Sequence, residues 1–390
     1  MKRQKIGLIL TGGGARAAYQ VGVLKAIAEF MPYRSRMPFD VVCGTSAGAL
    51  NAVTLAINAR HFRKGVRYLH NIWNNARIHE IYRSDVLGVA ANSSRWLMGL
   101  VLSVFGSNRY NRVSLLDNRP MRTFLERALP CELIQQNIDD GLVHAVSVTA
   151  SGYGSGHSVT FYQGVSDIKP WKRARRLGMP TQISVQHMLA SSAIPFMFPA
   201  VHVNREFFGD GSMRQIAPIS SALHLGAERV LVVGVGHDPL LEGQKRSKID
   251  SYPSLAEIAG HALDSIFIDG LEVDLERLHR INHTISMIPE ESRNKVNLQH
   301  VEALVITPSQ PLEKVAERHI ANLPWTIRLL LRLVGVMRGS GANLVSYLLF
   351  ERHYCRALID LGYQDALKRR EEILQFLEQG GASTCDDLSQ

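Results

Sequence analysis

Residues 44–48 are Gly44-Thr45-Ser46-Ala47-Gly48, a G-x-S-x-G pattern. The strand-like run Phe39-Asp40-Val41-Val42 comes directly before it, and a helix-like run from Ala49 to Ala59 follows. A serine in this pattern lies on a tight strand-to-helix turn, where small neighbours relieve crowding and leave the hydroxyl exposed. The helix that starts there directs backbone N–H groups at the point where an oxyanion would develop. The pattern indicates either a nucleophilic serine or an ordinary turn, and other motifs must decide between them.

A second turn, rich in glycine, lies near the N-terminus. The short apolar run Lys5 to Leu10 predicts a buried strand, and Ala17 to Phe30 predicts a helix with one apolar face. Between them stands Thr11-Gly12-Gly13-Gly14-Ala15-Arg16. Three consecutive glycines cost backbone entropy, and a common compensation is close approach of backbone amides to an anion. That anion is either a bound phosphate or the oxyanion of an acyl-transfer intermediate.

The phosphate alternative can be tested on the spacing of a dinucleotide-binding site. Gly12, Gly14 and Ala17 fit its glycine pattern, but it also requires an acidic residue at the end of the second strand. Asp40 stands at the start of that strand, and the G-x-S-x-G segment occupies its end. The spacing therefore disfavours a dinucleotide cofactor.

The position of the serine in the chain limits the fold. An ordinary α/β-hydrolase places its nucleophile after several strands, whereas Ser46 follows only two. The two loops then belong to one β-α-β unit, with neighbouring parallel strands whose carboxyl ends meet at the same edge of the sheet. This arrangement predicts that the glycine-loop amides lie beside Ser46.

Four motifs in this order resemble the patatin-like phospholipases over residues 5–225. Thr11–Arg16 is similar to the oxyanion loop of that family, and Gly44–Gly48 to its nucleophile elbow. Residues 190–201, which include Ala190-Ser191-Ser192-Ala193-Ile194-Pro195-Phe196, resemble the block before its catalytic aspartate. Asp210-Gly211-Ser212 falls where the family carries Asp-Gly-Gly or Asp-Gly-Ala. Two departures are Ala17 and Ser212, which replace smaller residues of the family pattern.

The resemblance implies a three-layer α/β fold with a central, mostly parallel sheet. It also implies a Ser–Asp dyad, with Ser46 as nucleophile and Asp210 as base. The oxyanion hole would consist of the amides of Gly12, Gly13 and Gly14. Arg16 would then steady either a phosphate group or the glycine loop itself.

The identity of the base leaves an alternative. Phe207 and Phe208 would desolvate Asp210 and raise its proton affinity, although an Asp-Gly pair is also common in plain turns. Among 15 histidines, His237 follows the strand-like run 230–236, so the order Ser, Asp, His of a triad is available. His279 and His283 have a spacing that suits a metal, but no third ligand accompanies them. We predict neither a metal site nor a cofactor.

Composition indicates the setting. The 390 residues can bury a large core, and the net charge of +9 favours anionic partners. No nucleic-acid module accompanies that charge, so an anionic membrane surface is the expected partner. The four cysteines are scattered, which suits reduced thiols, and neither a secretion signal nor an apolar run of about 20 residues is present. These features predict a cytoplasmic protein, peripheral at the inner membrane face.

The remaining elements complete the predicted organisation. A catalytic domain covers residues 5–225, its sheet ending there or continuing to about residue 240, and a mainly helical extension covers 250–390. Two strands are expected within 141–165, a helix over 254–285 with a break at Asp269-Gly270, and a helix over 347–380 broken at Gly362. Residues 96–105 form either a lid or a core helix. The basic amphipathic segment 323–337 lies either in a membrane interface or against the domain.

The predicted function is hydrolysis of carboxylic esters of phospholipids or lysophospholipids through an acyl-enzyme. Two alternatives remain, an esterase with a Ser-His-Asp triad and a lipid-binding protein that keeps the fold without turnover. Intact Ser46, Asp210 and glycine loop argue against the second, because a protein without turnover has no need of all three.

Overall fold

The computed structural model describes residues 3–83, 114–237, 255–289, 292, 298–324, 328–329 and 342–379. The predicted segment 96–105 and the connector 243–253 lie outside these residues, as does most of the segment 323–337.

Ten strands of the described residues form one sheet. In chain order they are β1 (Ile6–Leu10), β2 (Val41–Thr45), β3 (Ala145–Gly152), β4 (Ser158–Gly164), β5 (Trp171–Arg173), β6 (Arg176–Pro180), β7 (Val201–Val203), β8 (Glu206–Asp210), β9 (Arg229–Val233) and β10 (Glu302–Ile306). The order across the sheet is β10-β9-β1-β2-β3-β4-β6-β5, and β8, which pairs with β7, joins at β3.

The centre of the sheet is parallel, from β10 through β9, β1 and β2 to β3. The predicted β-α-β unit is confirmed, because β1 and β2 are parallel neighbours connected through α1 (Ala18–Phe30). The pair of strands predicted within 141–165 is also confirmed, as the antiparallel β3 and β4.

Helices cover both faces of this sheet. Besides α1, the helices of the described residues are α2 (Ala47–Ile57), α3 (Phe62–Asn74), α4 (Ile78–Ile81), α5 (Arg119–Ala128), α6 (Leu133–Asp139), α7 (Val185–Ser191), α8 (Pro218–His224), α9 (Leu255–Phe267), α10 (Asp269–Ser286), α11 (Leu312–Glu317), α12 (Ala342–Leu348), α13 (Arg352–Lys368) and α14 (Arg370–Gln379). Alternate side chains of β1 point to opposite layers: Leu8 and Leu10 pack with α1, α2 and α13, whereas Ile9 packs with α8 and α10. The predicted three-layer architecture is confirmed.

The C-terminal region is mainly helical, as predicted, but it differs in two details. Strand β10 was not predicted, and it extends the sheet by pairing with β9. The break predicted at Gly362 is wrong, because α13 runs through this residue without interruption. Gly362 instead permits a close helix crossing: a methyl group there would collide with the carbonyl oxygen of Tyr19 in α1, and one at Gly22 would collide with that of Ile359. The break near Asp269 is confirmed, since α9 ends at Phe267 and α10 begins at Asp269.

None of the helices in the described part of the chain has the length and apolar character needed to cross a membrane.

Candidate active site

Ser46 lies on the turn between β2 and α2 in a strained backbone conformation. Its φ of 53° and ψ of −127° belong to a region that residues with side chains rarely adopt. The two flanking glycines allow the turn to close. A methyl group at Gly44 would lie 2.5 Å from the Cα atom of Ala49, and one at Gly48 would collide with the carbonyl oxygen of Leu10. The G-x-S-x-G spacing therefore reflects two backbone contacts, one within the turn and one with the end of β1.

Asp210 faces Ser46 across the sheet edge. It is the last residue of β8, which pairs with β3 so that Asp210 stands opposite Ala150. The Ser46 hydroxyl donates a hydrogen bond to Asp210 Oδ2 at 2.6 Å. Ser46 is 2% exposed and Asp210 is 0% exposed. Two residues separated by 164 positions thus form a buried serine–carboxylate pair.

The surroundings of Asp210 favour its protonated form. Burial raises the pKa of its carboxyl to about 6, although hydrogen bonds from Ser46 and Ser212 oppose this shift. The Ser212 amide donates to Asp210 Oδ1 at 2.9 Å, so the second oxygen is also fixed. Of the two preceding phenylalanines, Phe208 is buried and Phe207 is exposed. Only Phe208 can contribute to the desolvation that the sequence predicted for both.

The glycine loop lies beside this pair. Gly48, at the start of α2, packs against the carbonyl groups of Leu10 and Thr11, where the loop begins. Gly14 lines the same pocket as Ser46. Within the described residues, the amides of Gly12, Gly13 and Gly14 have no hydrogen-bond acceptor. The hydroxyl of Ser212, one of the departures from the family pattern, lies against Gly12.

An apolar pocket opens directly above Ser46. The cavity has a volume of about 40 Å³ and opens to solvent. The apolar side chains of α2 to α5 form much of its wall, and the described lining includes Leu50, Ile72, Trp73, Ala76, Ile81, Met121, Phe124, Ile194, Phe198 and Phe350. Among these described lining residues, Glu80 is the only one with a charged side chain. The pocket has the chemistry required to bind a hydrocarbon chain next to the serine.

The structure places Arg16 away from this pocket. Its side chain is buried and donates hydrogen bonds to Ser346 at 2.8 Å and to the Tyr347 hydroxyl at 3.0 Å. Both partners belong to α12 in the C-terminal region. The guanidinium group is thus placed to support the loop, and in this position it contacts protein groups.

The histidines considered above lie apart from the pair. His237 forms a hydrogen bond through Nδ1 with the carbonyl oxygen of Pro308 at 2.9 Å. Among the described residues it makes no hydrogen bond to Ser46 or Asp210. His279 and His283 are exposed on α10, and the described part of the chain contains no group of three residues that could hold a metal ion.

Buried polar side chains to which the sequence assigned no individual role complete the site. Ser191 accepts a hydrogen bond from the Ser46 amide at 2.8 Å and donates one to the Thr149 carbonyl. Gln20 donates to the carbonyl of Thr11 at 2.8 Å, at the base of the glycine loop, and Asn51 donates to Gln20 at 2.9 Å. A polar residue inside an otherwise apolar helix was the available signal for Gln20 and Asn51.

The fold and these contacts define an α/β protein in which a serine on a strand-to-helix turn is paired with a carboxylate, below an apolar pocket. A model of the patatin-like phospholipase family matches residues 8–223, more than half of the chain. The chain therefore belongs to the patatin-like phospholipase family.

Similar proteins match over short segments. Lysophospholipase nte1 of Aspergillus terreus is 45% identical over 56 residues, which are 14% of this chain and 3% of that protein. Neuropathy target esterase sws of Drosophila persimilis is 43% identical over 68 residues, which are 15% of this chain and 4% of that protein. The chain thus spans only a few per cent of the length of these relatives.

Two solved structures cover nearly the whole chain at low similarity. VipD from Legionella pneumophila has a TM-score of 0.35 and 12% identity, covering 97% of this chain and 67% of that one. The complex of SpcU with ExoU from the type III secretion system of Pseudomonas aeruginosa has a TM-score of 0.26 and 12% identity. The match covers 97% of this chain and 80% of that one.

Proposed function

We propose that this protein hydrolyses carboxylic esters of phospholipids or lysophospholipids, with Ser46 as nucleophile and Asp210 as its base. The observation that carries this proposal is the 2.6 Å hydrogen bond from the Ser46 hydroxyl to Asp210 Oδ2 at the floor of an apolar pocket. Membership of the patatin-like phospholipase family supports a lipid substrate. The names of the relatives, a lysophospholipase and an esterase, support an ester bond.

The geometry supports a two-step acyl transfer. Ser46 Oγ attacks the ester carbonyl while its proton passes to Asp210, and the oxyanion accepts hydrogen bonds from the glycine-loop amides. The tetrahedral intermediate then expels the alcohol, which takes the proton from Asp210 and leaves an acyl-serine. Water next attacks the acyl group after giving a proton to Asp210, and the fatty acid departs as Ser46 regains that proton. The amide of Ser46 itself is occupied by Ser191, so the donors come from the loop and from Ala47.

The pocket supports an acyl chain as the group next to the reacting carbonyl. Each methylene group that enters an apolar pocket contributes about 0.8 kcal/mol of binding free energy. Binding of the chain along Leu50, Trp73 and Phe124 would hold the carbonyl over Ser46. A polar head group would then remain near the mouth.

The membrane surface and the compartment in which the protein acts form part of the same proposal. The net charge of +9 favours an anionic lipid surface, where the substrate also resides. Cys43, Cys131 and Cys355 are free thiols, two of them buried, which suits a reducing compartment such as the cytoplasm.

A labelling experiment tests the proposal. Wild-type protein should react with a fluorophosphonate probe at Ser46, and mass spectrometry should detect fatty acids released from a mixed lipid extract. Ser46→Ala should abolish both signals while the thermal unfolding transition is retained. Labelling of a different serine, with hydrolysis preserved in Ser46→Ala, would refute the assignment. A folded wild-type protein that binds lipid without releasing fatty acid would support the non-catalytic alternative instead.

A further inference from the structure

Residues outside the family-matched range contact the glycine loop. Helix α12 packs so closely against Gly14 that a methyl group at this position would collide with the carbonyl oxygen of Tyr347. Gly14 also has a φ of +53°, a left-handed conformation that glycine adopts without strain. The C-terminal region therefore forms one wall of the loop that carries the proposed oxyanion donors.

Arg16 connects this wall to the loop. It belongs to the 3-10 turn Gly14–Ala17, and its amide donates to the carbonyl of Gly13 at 3.1 Å. Its guanidinium lies 4.0 Å from the centre of the Tyr347 ring, and it also donates to Asn343. Because the backbone and the side chain of Arg16 are both held, a displacement of the guanidinium would be transmitted to Gly13 and Gly14.

Asp264, in α9, neutralises this buried cation. Its Oδ1 lies 3.4 Å from Arg16 Nη1 and accepts a hydrogen bond from the Tyr347 hydroxyl at 2.6 Å. Asn343 donates to the other carboxylate oxygen. Glu313 is the second acidic group near Arg16, at 3.8 Å. Since a buried charge is costly without its partner, Asp264 and Tyr347 fix where the guanidinium rests.

We propose that Asp264 and Tyr347 are positioning residues for the reaction: acting through Arg16, they hold the glycine-loop amides where the oxyanion forms. This inference rests on the proposed function, and it assigns the C-terminal region a part in catalysis that the family-matched residues 8–223 do not contain. Neither residue touches the apolar pocket, so their loss should act on turnover more than on substrate binding.

A second tyrosine–aspartate pair provides a matched control. The hydroxyl of Tyr19 in α1 donates to Asp365 in α13 at 3.2 Å, and both side chains are buried. This bond also joins the N-terminal part of the chain to the C-terminal region, but it does not contact the glycine loop. Tyr19→Phe therefore removes a comparable hydrogen bond without disturbing the loop.

The kinetic test compares Tyr347→Phe, Asp264→Asn and Tyr19→Phe in the 390-residue chain, with a soluble short-chain ester and well below the unfolding temperature. We expect kcat to fall by about tenfold or more in the first two variants, with KM changed by less than about threefold, because a misplaced oxyanion donor weakens transition-state binding. In the double variant the losses should not multiply, since both residues act through Arg16. Tyr19→Phe should keep the kcat of the wild type.

Hydrogen exchange gives a readout that does not depend on activity. Peptides covering residues 11–17 should exchange at least about fivefold faster in Tyr347→Phe and Asp264→Asn than in the wild type. In Tyr19→Phe their exchange rate should equal that of the wild type. Should the wild type release no fatty acid, the proposed function falls, and loop exchange still decides whether these residues position the loop. If Ser46→Ala is inactive but both variants keep the kcat and loop exchange of the wild type, the positioning role is refuted while the proposed function stands.

Discussion

Replacement of Asp210 by asparagine should abolish activity and yet stabilise the protein at neutral pH. The carboxyl is fully buried, and burial raises its pKa from 3.8 to about 6. A raised pKa in the folded state means that folding favours the protonated carboxyl. The contribution of the protonated Asp210 carboxyl to the free energy of unfolding is fully present below about pH 4. It is lost as the pH rises through about 6. At pH 7.5 the ionised form therefore destabilises the fold by roughly 3 kcal/mol, from a shift of about two units at 1.36 kcal/mol each.

The asparagine side chain has nearly the same shape as that of aspartate and carries no charge. Its side-chain oxygen can still accept from the Ser212 amide, and its amide group can donate to the Ser46 hydroxyl. We therefore expect Asp210→Asn to raise the free energy of unfolding by about 1–3 kcal/mol at pH 7.5. A chain of this length has an unfolding entropy of roughly 0.8 kcal/mol/K near its melting temperature, so the midpoint should rise by about 1–4 °C.

The assay is thermal unfolding of the wild type and Asp210→Asn from pH 4 to pH 8. The difference between the two midpoints should be near zero at pH 4, grow between pH 4 and 6, and then remain constant. Wild-type turnover should fall below about pH 6 as the base becomes protonated, and the variant should lose roughly three or more orders of magnitude in turnover.

Ser46→Ala is the control for this prediction. It removes the Ser46 hydrogen bond to Asp210 but leaves the carboxylate buried, so it should abolish activity without stabilising the protein at pH 7.5. A midpoint difference for Asp210→Asn that is negative, or equal at pH 4 and pH 8, would refute the reasoning from burial.

Three further outcomes are expected. His237→Ala should change turnover far less than Asp210→Asn, because His237 is bonded to the Pro308 carbonyl; comparable inactivation of a folded variant in the same ester assay would favour a triad. Phe124→Trp should fill part of the apolar pocket and shift the preference among p-nitrophenyl esters toward shorter chains, whereas an unchanged chain-length profile would show that the acyl chain binds elsewhere. The protein should sediment with anionic liposomes more than with neutral ones and be partly released by high salt, and joint replacement of Arg328 and Arg332 by alanine should weaken this binding; equal binding to both vesicle types at all salt concentrations would exclude charge as the attraction.

Local patterns were sufficient to predict the centre of the fold. The apolar run before Thr11 and the one before Gly44 are each followed by a helical pattern, and short connections of this kind place their strands side by side. The same sequence pattern predicted that the glycine loop lies beside Ser46. Asp210 could be proposed only through the family resemblance, because Asp-Gly pairs also occur in many plain turns.

Long-range contacts could not be predicted in this way. Asp264 and Tyr347 look like ordinary helical residues, and only the folded chain brings them to Arg16, which lies 248 and 331 positions away. Gly362 has the composition of a helix break, yet contact with the Tyr19 carbonyl makes it the residue that permits a close crossing. Strand β10 is short and partly exposed, and it is defined by pairing with β9 more than by its own sequence.

The crossing of α1 and α13 joins two segments that are synthesised at very different times. Gly22 must pack against Ile359, which is made 337 positions later. At a synthesis rate of about 5–20 residues per second, roughly 20 to 70 s pass before α13 is available to pack against α1. During that time the helix and the glycine loop before it are exposed to other nascent chains. Chains terminated before residue 359 should therefore aggregate more readily than the 390-residue chain.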